Sequence, residues 1–144
     1  MTTAIKERKE GLMTEANAYS LTQEGAQKLS THFRVREFAC KDGSDPLFIS
    51  PQLVQLLEQV RTHFNAPVFV NSGYRTPAYN HSIPNASPHS QHLYGRAADI
   101  RVCGHAPAQV AAYAETLLPH SGGIGLYPSF VHLDVSTAKR RWKG

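Results

Sequence analysis

His92, Asp99, His132 and Asp134 are the side chains of this sequence whose types and spacing could do chemistry together. His92 ends a polar loop, and Asp99 sits in an apolar run, Ala97 to Val102, that reads as a strand. His132 and Asp134 flank Leu133 in a second such run, Phe130 to Val135. Residues two apart on a strand face the same side, so His132 and Asp134 project together while Val131, Leu133 and Val135 enter the core. Two imidazoles and one carboxylate form a common catalytic zinc set, with the fourth tetrahedral position left for water. Taken singly, each histidine is as well explained as a loop or satisfied core residue. Asp99 is not, because an ionised carboxylate in an apolar strand costs several kcal/mol without a partner, and a cation supplies one.

The elements that must position these groups are legible around them. Ser50-Pro51 is a helix start, with Ser50 as cap and Pro51 at the first helical position. Leu53, Val54, Leu56, Leu57, Val60 and Phe64 then follow helical spacing to about Asn65. Val68 to Val70 reads as a buried strand, and Thr76-Pro77 repeats the cap-then-proline signal for a second, short helix. His81 to Ser90 is a polar loop, Pro107 to Leu118 an amphipathic helix, and Gly122-Gly123 turns the chain into strands at Ile124 to Tyr127 and Phe130 to Val135. The short Pro-Ser link between those last strands makes them antiparallel neighbours. The expected class is therefore α+β, a small, mainly antiparallel sheet flanked by helices in a single domain.

The wider sequence sets bounds on that reading. With 144 residues, 41% of them hydrophobic, the chain can bury roughly two thirds of its unfolded surface and needs no metal or disulfide merely to fold. Cys40 and Cys103 allow at most one bridge and no cysteine-rich zinc cage; a pair of buried thiols is the expected state. Residues 1–20 are polar and charged, so a weakly ordered lead-in is expected there, with no apolar segment of the kind that directs export. The domain proper is placed at 21–138, and 139–144 (Lys-Arg-Arg-Trp-Lys-Gly) reads as a solvated basic tail. No run approaches the about 18 consecutive apolar residues of a membrane span, so no membrane partner is expected. A net charge of +4 without a basic helix, aromatic platform or finger pattern gives no footprint for nucleic acid. A small basic nucleic-acid binder would lose affinity steeply with salt and ignore chelators, the reverse of a zinc protein.

Three stretches of the sequence form a pattern: Ser72-Gly73-Tyr74-Arg75-Thr76, Ser90-x-His92-x-x-Gly95-x-Ala97-x-Asp99, and Gly123-x-Gly125-x-Tyr127-x-x-Phe130-x-His132-x-Asp134. From about Leu29 to Val135 the chain resembles the zinc D-alanyl-D-alanine carboxypeptidase family. That family includes D-Ala-D-Ala dipeptidases and phage endolysins that cut L-alanyl-D-glutamate bonds, and it shares its fold with the hedgehog signalling domain. The resemblance implies one zinc ion per chain, held by His92, Asp99 and His132, with Arg75 over the site binding a substrate carboxylate or carbonyl. Ser90 matches a position that binds substrate in some members, though it also fits a loop cap, and Arg75 also fits a surface ion pair. The implied activity is hydrolysis of an amide in peptidoglycan peptides, of carboxypeptidase or endopeptidase type, by a monomer. Action at the bacterial wall without an export segment fits a phage or prophage lysin, or a chain separated from its leader.

One departure bears on mechanism. The dipeptidases and endolysins carry Glu or Asp three residues before the last histidine ligand, as general base; here the residue is Ser129, which cannot serve. After Glu58 the acidic residues are Asp99, Glu115 and Asp134, and Glu115 lies within a helix. Asp134 is left, either as base or as a group orienting His132 or Arg75, with His89 and His120 as further proton carriers. The rival reading within the fold is a zinc-stabilised module that binds wall peptides or a protein partner without turnover.

Overall fold

Ser50 caps the longest helix as its spacing requires, its hydroxyl accepting from the Leu53 N–H at 3.4 Å with Pro51 at the first position. The computed structural model describes residues 15–144; the first fourteen positions of the expected lead-in lie outside the described residues. Helix α1 (Leu21–Glu24) is followed by α2 (Pro51–Phe64), which buries Leu53, Val54, Leu56, Leu57 and Val60 along one stripe and stops at Asn65 in the left-handed conformation. Helix α3 (Pro77–Ser82) is capped by Thr76, and α4 is Pro107–Leu117.

Strands β1 (Asn17–Tyr19) and β2 (Leu47–Ile49) form a separate antiparallel pair. The main sheet holds β3 (Val68–Ser72), β4 (Ala97–Val102), β5 (Gly123–Leu126), β6 (Val131–Asp134) and β7 (Arg140–Lys143) in the order β3-β4-β6-β5-β7. All its pairings are antiparallel except β5 with β7. The chain reverses into β6 and again into β7, so β7 runs with β5 when it takes that strand's free edge. Ala98, Ile100, Val131, Leu133 and Ile124 point to the face packed by α2 and α4 and belong to one buried apolar cluster. The α+β class expected from the sequence is the class observed.

Three expectations change. Residues 17–19, expected within a loose lead-in, pair with β2, and the Tyr19 side chain is buried. Residues 140–143, expected in a solvated tail, are an edge strand whose ladder is closed by Arg140 N–H to Gly122 O at 3.0 Å and Gly144 N–H to Leu126 O at 2.9 Å. Their charges have partners that the linear sequence hides: Arg140 meets Asp134, and Arg141 meets Glu115 of α4 at 2.6 Å. Of the two cysteines, both free thiols, Cys40 is buried as expected but Cys103 is exposed.

Candidate metal centre

Strand register builds the site. Across the sheet Asp99 of β4 pairs with His132 of β6, His132 with Gly125 of β5, and Gly125 with Trp142 of β7. Two residues along, a second row runs Ala97, Asp134, Gly123 and Arg140. The pleat puts both rows on one face, opposite the apolar cluster. Small residues beside large ones are what this packing requires. A Cβ on Gly125 would lie 2.5 Å from the Trp142 ring, and one on Gly123 would collide with the Asp134 carboxylate.

His92 arrives from the 3-10 helix Gln91–Tyr94, whose cap is Ser90; the Ser90 hydroxyl accepts from the His92 N–H at 3.2 Å. The His92 ring is buried and its Nδ1–H donates to the Gly73 carbonyl at 2.7 Å. On the other ring, the His132 Nε2–H donates to Asp134 Oδ2 at 2.7 Å. Each imidazole is thereby fixed with its remaining nitrogen turned inward. His92 Nε2 and His132 Nδ1 both face Asp99 Oδ1, at 3.3 and 3.1 Å. One ligand atom from each of these three residues lies within 4.8 Å of the others. A buried carboxylate facing one nitrogen of each of two imidazoles, whose other nitrogens are hydrogen-bonded elsewhere, fits a borderline cation such as zinc.

The electrostatics follow from the same contacts. Burial disfavours the Asp99 anion, yet its contacts with His132 and His92 outweigh it and hold the carboxyl well below the usual range. Burial pushes the His92 imidazole down, with Asp99 as its only carboxylate partner among the described residues. Burial also disfavours the His132 cation, but two carboxylates, Asp134 and Asp99, reverse the direction and push it up. For Asp134, burial is again outweighed, by His132, Ser136 and Arg140.

The sequence left two roles open for Asp134. Its side chain is fully buried and saturated: Gly123 N–H (2.8 Å), Ser136 N–H (3.1 Å) and Ser136 Oγ (2.7 Å) donate to Oδ1, and His132 and Arg140 (2.6 Å) to Oδ2. A base must reach the proton it takes, so this geometry suits orientation of His132 rather than proton abstraction. Arg75 is held by Nε to Ser72 Oγ (3.1 Å), Nη1 to Asn80 Oδ1 (3.2 Å) and Nη2 to Asp99 Oδ2 (3.3 Å). Those bonds leave one N–H on each terminal nitrogen for a ligand.

A cavity of about 570 Å³ opens on the group and is lined by Arg75, Ser90 and the three clustered residues. Its walls include the Ile83 to Ser90 loop and the rings of Tyr127, Phe130 and Trp142. Tyr127 and Phe130 stack at 4.4 Å, and the Trp142 Nε1–H donates to the Tyr127 hydroxyl at 2.9 Å. His89 lines this cavity; His120, Ser129 and Glu115 are exposed and do not. The sequence reading missed Arg140, Trp142, Ser72 and Asn80. The signal for the first two was present in Gly123-x-Gly125, a strand with room beside it.

A family model described as Peptidase M15 matches residues 20–134. Among curated proteins, "Probable peptidoglycan L,D-endopeptidase MepK" of Haemophilus influenzae is 32% identical over 105 residues, covering 67% of this chain and 55% of that protein. The chain thus spans about half the length of the curated relative it matches. No solved structure matches it.

Proposed function

The chain belongs to the peptidase M15 family, and from that premise we propose that it is a zinc metallopeptidase hydrolysing an amide in peptidoglycan peptides. One observation carries this reading: His92, Asp99 and His132 converge on one point at a cavity, each imidazole's other nitrogen already committed. These three residues would hold the ion, which when bound supplies Lewis acidity toward a carbonyl oxygen and lowers the pKa of a water toward about 7. Asp134 fixes the tautomer and plane of His132. Arg75, anchored on Ser72, Asn80 and Asp99, directs its unbonded N–H groups at a substrate oxygen and stabilises charge developing there. Ser90 holds the His92 backbone, and its hydroxyl hydrogen remains free to donate to substrate. With Asp99 a ligand and Asp134 enclosed, His89 is the imidazole left at the cavity to accept the proton of the attacking water and return it to the leaving amine. The name of the relative favours an endopeptidase over a carboxypeptidase.

A second reading keeps the metal and drops the turnover. It is favoured by Ser129 at the usual position of the acidic base and by the lack, among the described residues, of any carboxylate at the cavity besides Asp99. Peptide release from purified peptidoglycan, with and without chelator and with products identified by mass, separates the two. Chelator-sensitive release of fragments cut at an internal amide is the expected result. One zinc per chain with no release would leave a binding module.

A further inference from the structure

Resting on the peptidase reading, and deepening it, we propose that Arg140 is a specificity residue that binds a carboxylate of the substrate. The site then selects wall peptides with a free carboxylate beside the scissile amide over those in which that group is amidated. Arg140 lies beyond the residues matched by the family model, on the edge strand that the sequence presents as a tail.

The guanidinium lines the cavity. Its Nη2–H holds Asp134 Oδ2 at 2.6 Å, and its Cζ sits 5.2 Å from the centre of the Trp142 ring, so the fork is fixed from two sides. Among the described residues that is its only side-chain hydrogen bond, leaving Nε and Nη1 without a partner. Its side chain is 44% exposed, whereas Asp134 is completely enclosed. Asp134 also has four other donors, so balancing that carboxylate does not use up the arginine. A planar fork with free N–H groups at a cavity is suited to a carboxylate and poorly suited to a neutral amide, which presents a single acceptor and donors of its own.

Charge points the same way. Arg75 and Arg140 balance Asp99 and Asp134, so a bound divalent cation leaves a surplus of positive charge at the cavity. No further acidic side chain among the described residues lines it. A ligand that brings negative charge would offset that surplus. Arg75 reaches the metal group through Asp99 and Arg140 reaches it through Asp134, giving a peptide two separate guanidinium anchors.

The test uses synthetic wall peptides in which each carboxylate beside the scissile amide is converted in turn to a carboxamide. The zinc-loaded wild type, R140Q and R140K are compared by kcat/KM, and the same peptides are titrated calorimetrically into the chelated proteins, where no turnover occurs. The wild type should favour one free carboxylate by about 10- to 100-fold, with Kd moving in the same direction. R140Q should reduce that ratio to about threefold or less, and R140K should fall between. The ratio is the diagnostic quantity, because disturbance of His132 through Asp134 would slow both peptides alike. Equal handling of all peptides by the wild type, or an unchanged ratio in R140Q, overturns the assignment and leaves the peptidase reading standing. Preferential binding without cleavage keeps Arg140 as the carboxylate anchor and removes the peptidase reading, and neither binding nor cleavage removes both.

Discussion

Asp134 accepts from five donors, so its replacement by asparagine turns one carboxylate oxygen into an NH2 group facing hydrogens. If Asp134 were the base, D134N would keep its metal and lose only turnover. As the residue that orients His132, it should instead bring down zinc affinity by about 10- to 100-fold in chelator competition. Stability should fall with it, by about 2 to 4 kcal/mol in urea unfolding, since buried donors lose their acceptor. His89 gives the complementary case. It is exposed on the loop and touches none of the clustered residues through a hydrogen bond. H89A should therefore leave zinc stoichiometry and the urea midpoint unchanged while kcat drops by about 100-fold or more. A kcat within a few-fold of wild type would take the proton role away from His89.

At the scale of elements, the site depends on a strand that the sequence disguises. Helix α2 was legible because a cap, a proline and a 3.6-residue apolar period sit within a few positions of one another, and α3 from its cap and proline alone. Strands β3 to β6 were legible from short apolar runs, the joint projection of His132 and Asp134 from the same-face spacing within β6, and the grouping of His92, Asp99 and His132 from their residue types and the motifs around them. β7 was not, because Arg140-Arg141-Trp142-Lys143 carries three cations and one ring, and what makes it a strand is the vacant edge of β5 plus carboxylates at positions 115 and 134. β1 and β2, three residues each, are too short to show a period. The residue that commits β7 to its place is Gly125. G125A puts a methyl 2.5 Å from the Trp142 ring, which also lies 5.0 Å from that of His132. The ring or the strand must move, so G125A should cost about 1 to 3 kcal/mol. Trp142 is the only tryptophan of the chain, so displacement would be read directly as a red shift of its emission. An unshifted spectrum at wild-type stability would mean that β7 is not held by that contact.

Over the whole molecule, the core and the site occupy opposite faces of one sheet, which decides what removal of metal should do. The apolar cluster includes Ile100, Leu133 and Val131 on the inner face with Leu53, Leu57 and Val60 of α2, and none of His92, Asp99 and His132 takes part in it. On the outer face, Asp99 has Arg75 and Asp134 has Arg140, so neither of these two carboxylates would be left without a cation on removal of a bound metal. This differs from a small zinc finger, where the ion replaces a missing core. Chelation should therefore leave the far-UV circular dichroism spectrum and the cooperativity of unfolding intact. The loss should appear as ligand linkage alone, about 3 kcal/mol when free zinc stands near a hundred times its Kd, and as a melting temperature that rises with added zinc. Collapse of the spectrum on chelation would show that the site is part of what folds the chain, and that the face assigned to function carries structure as well.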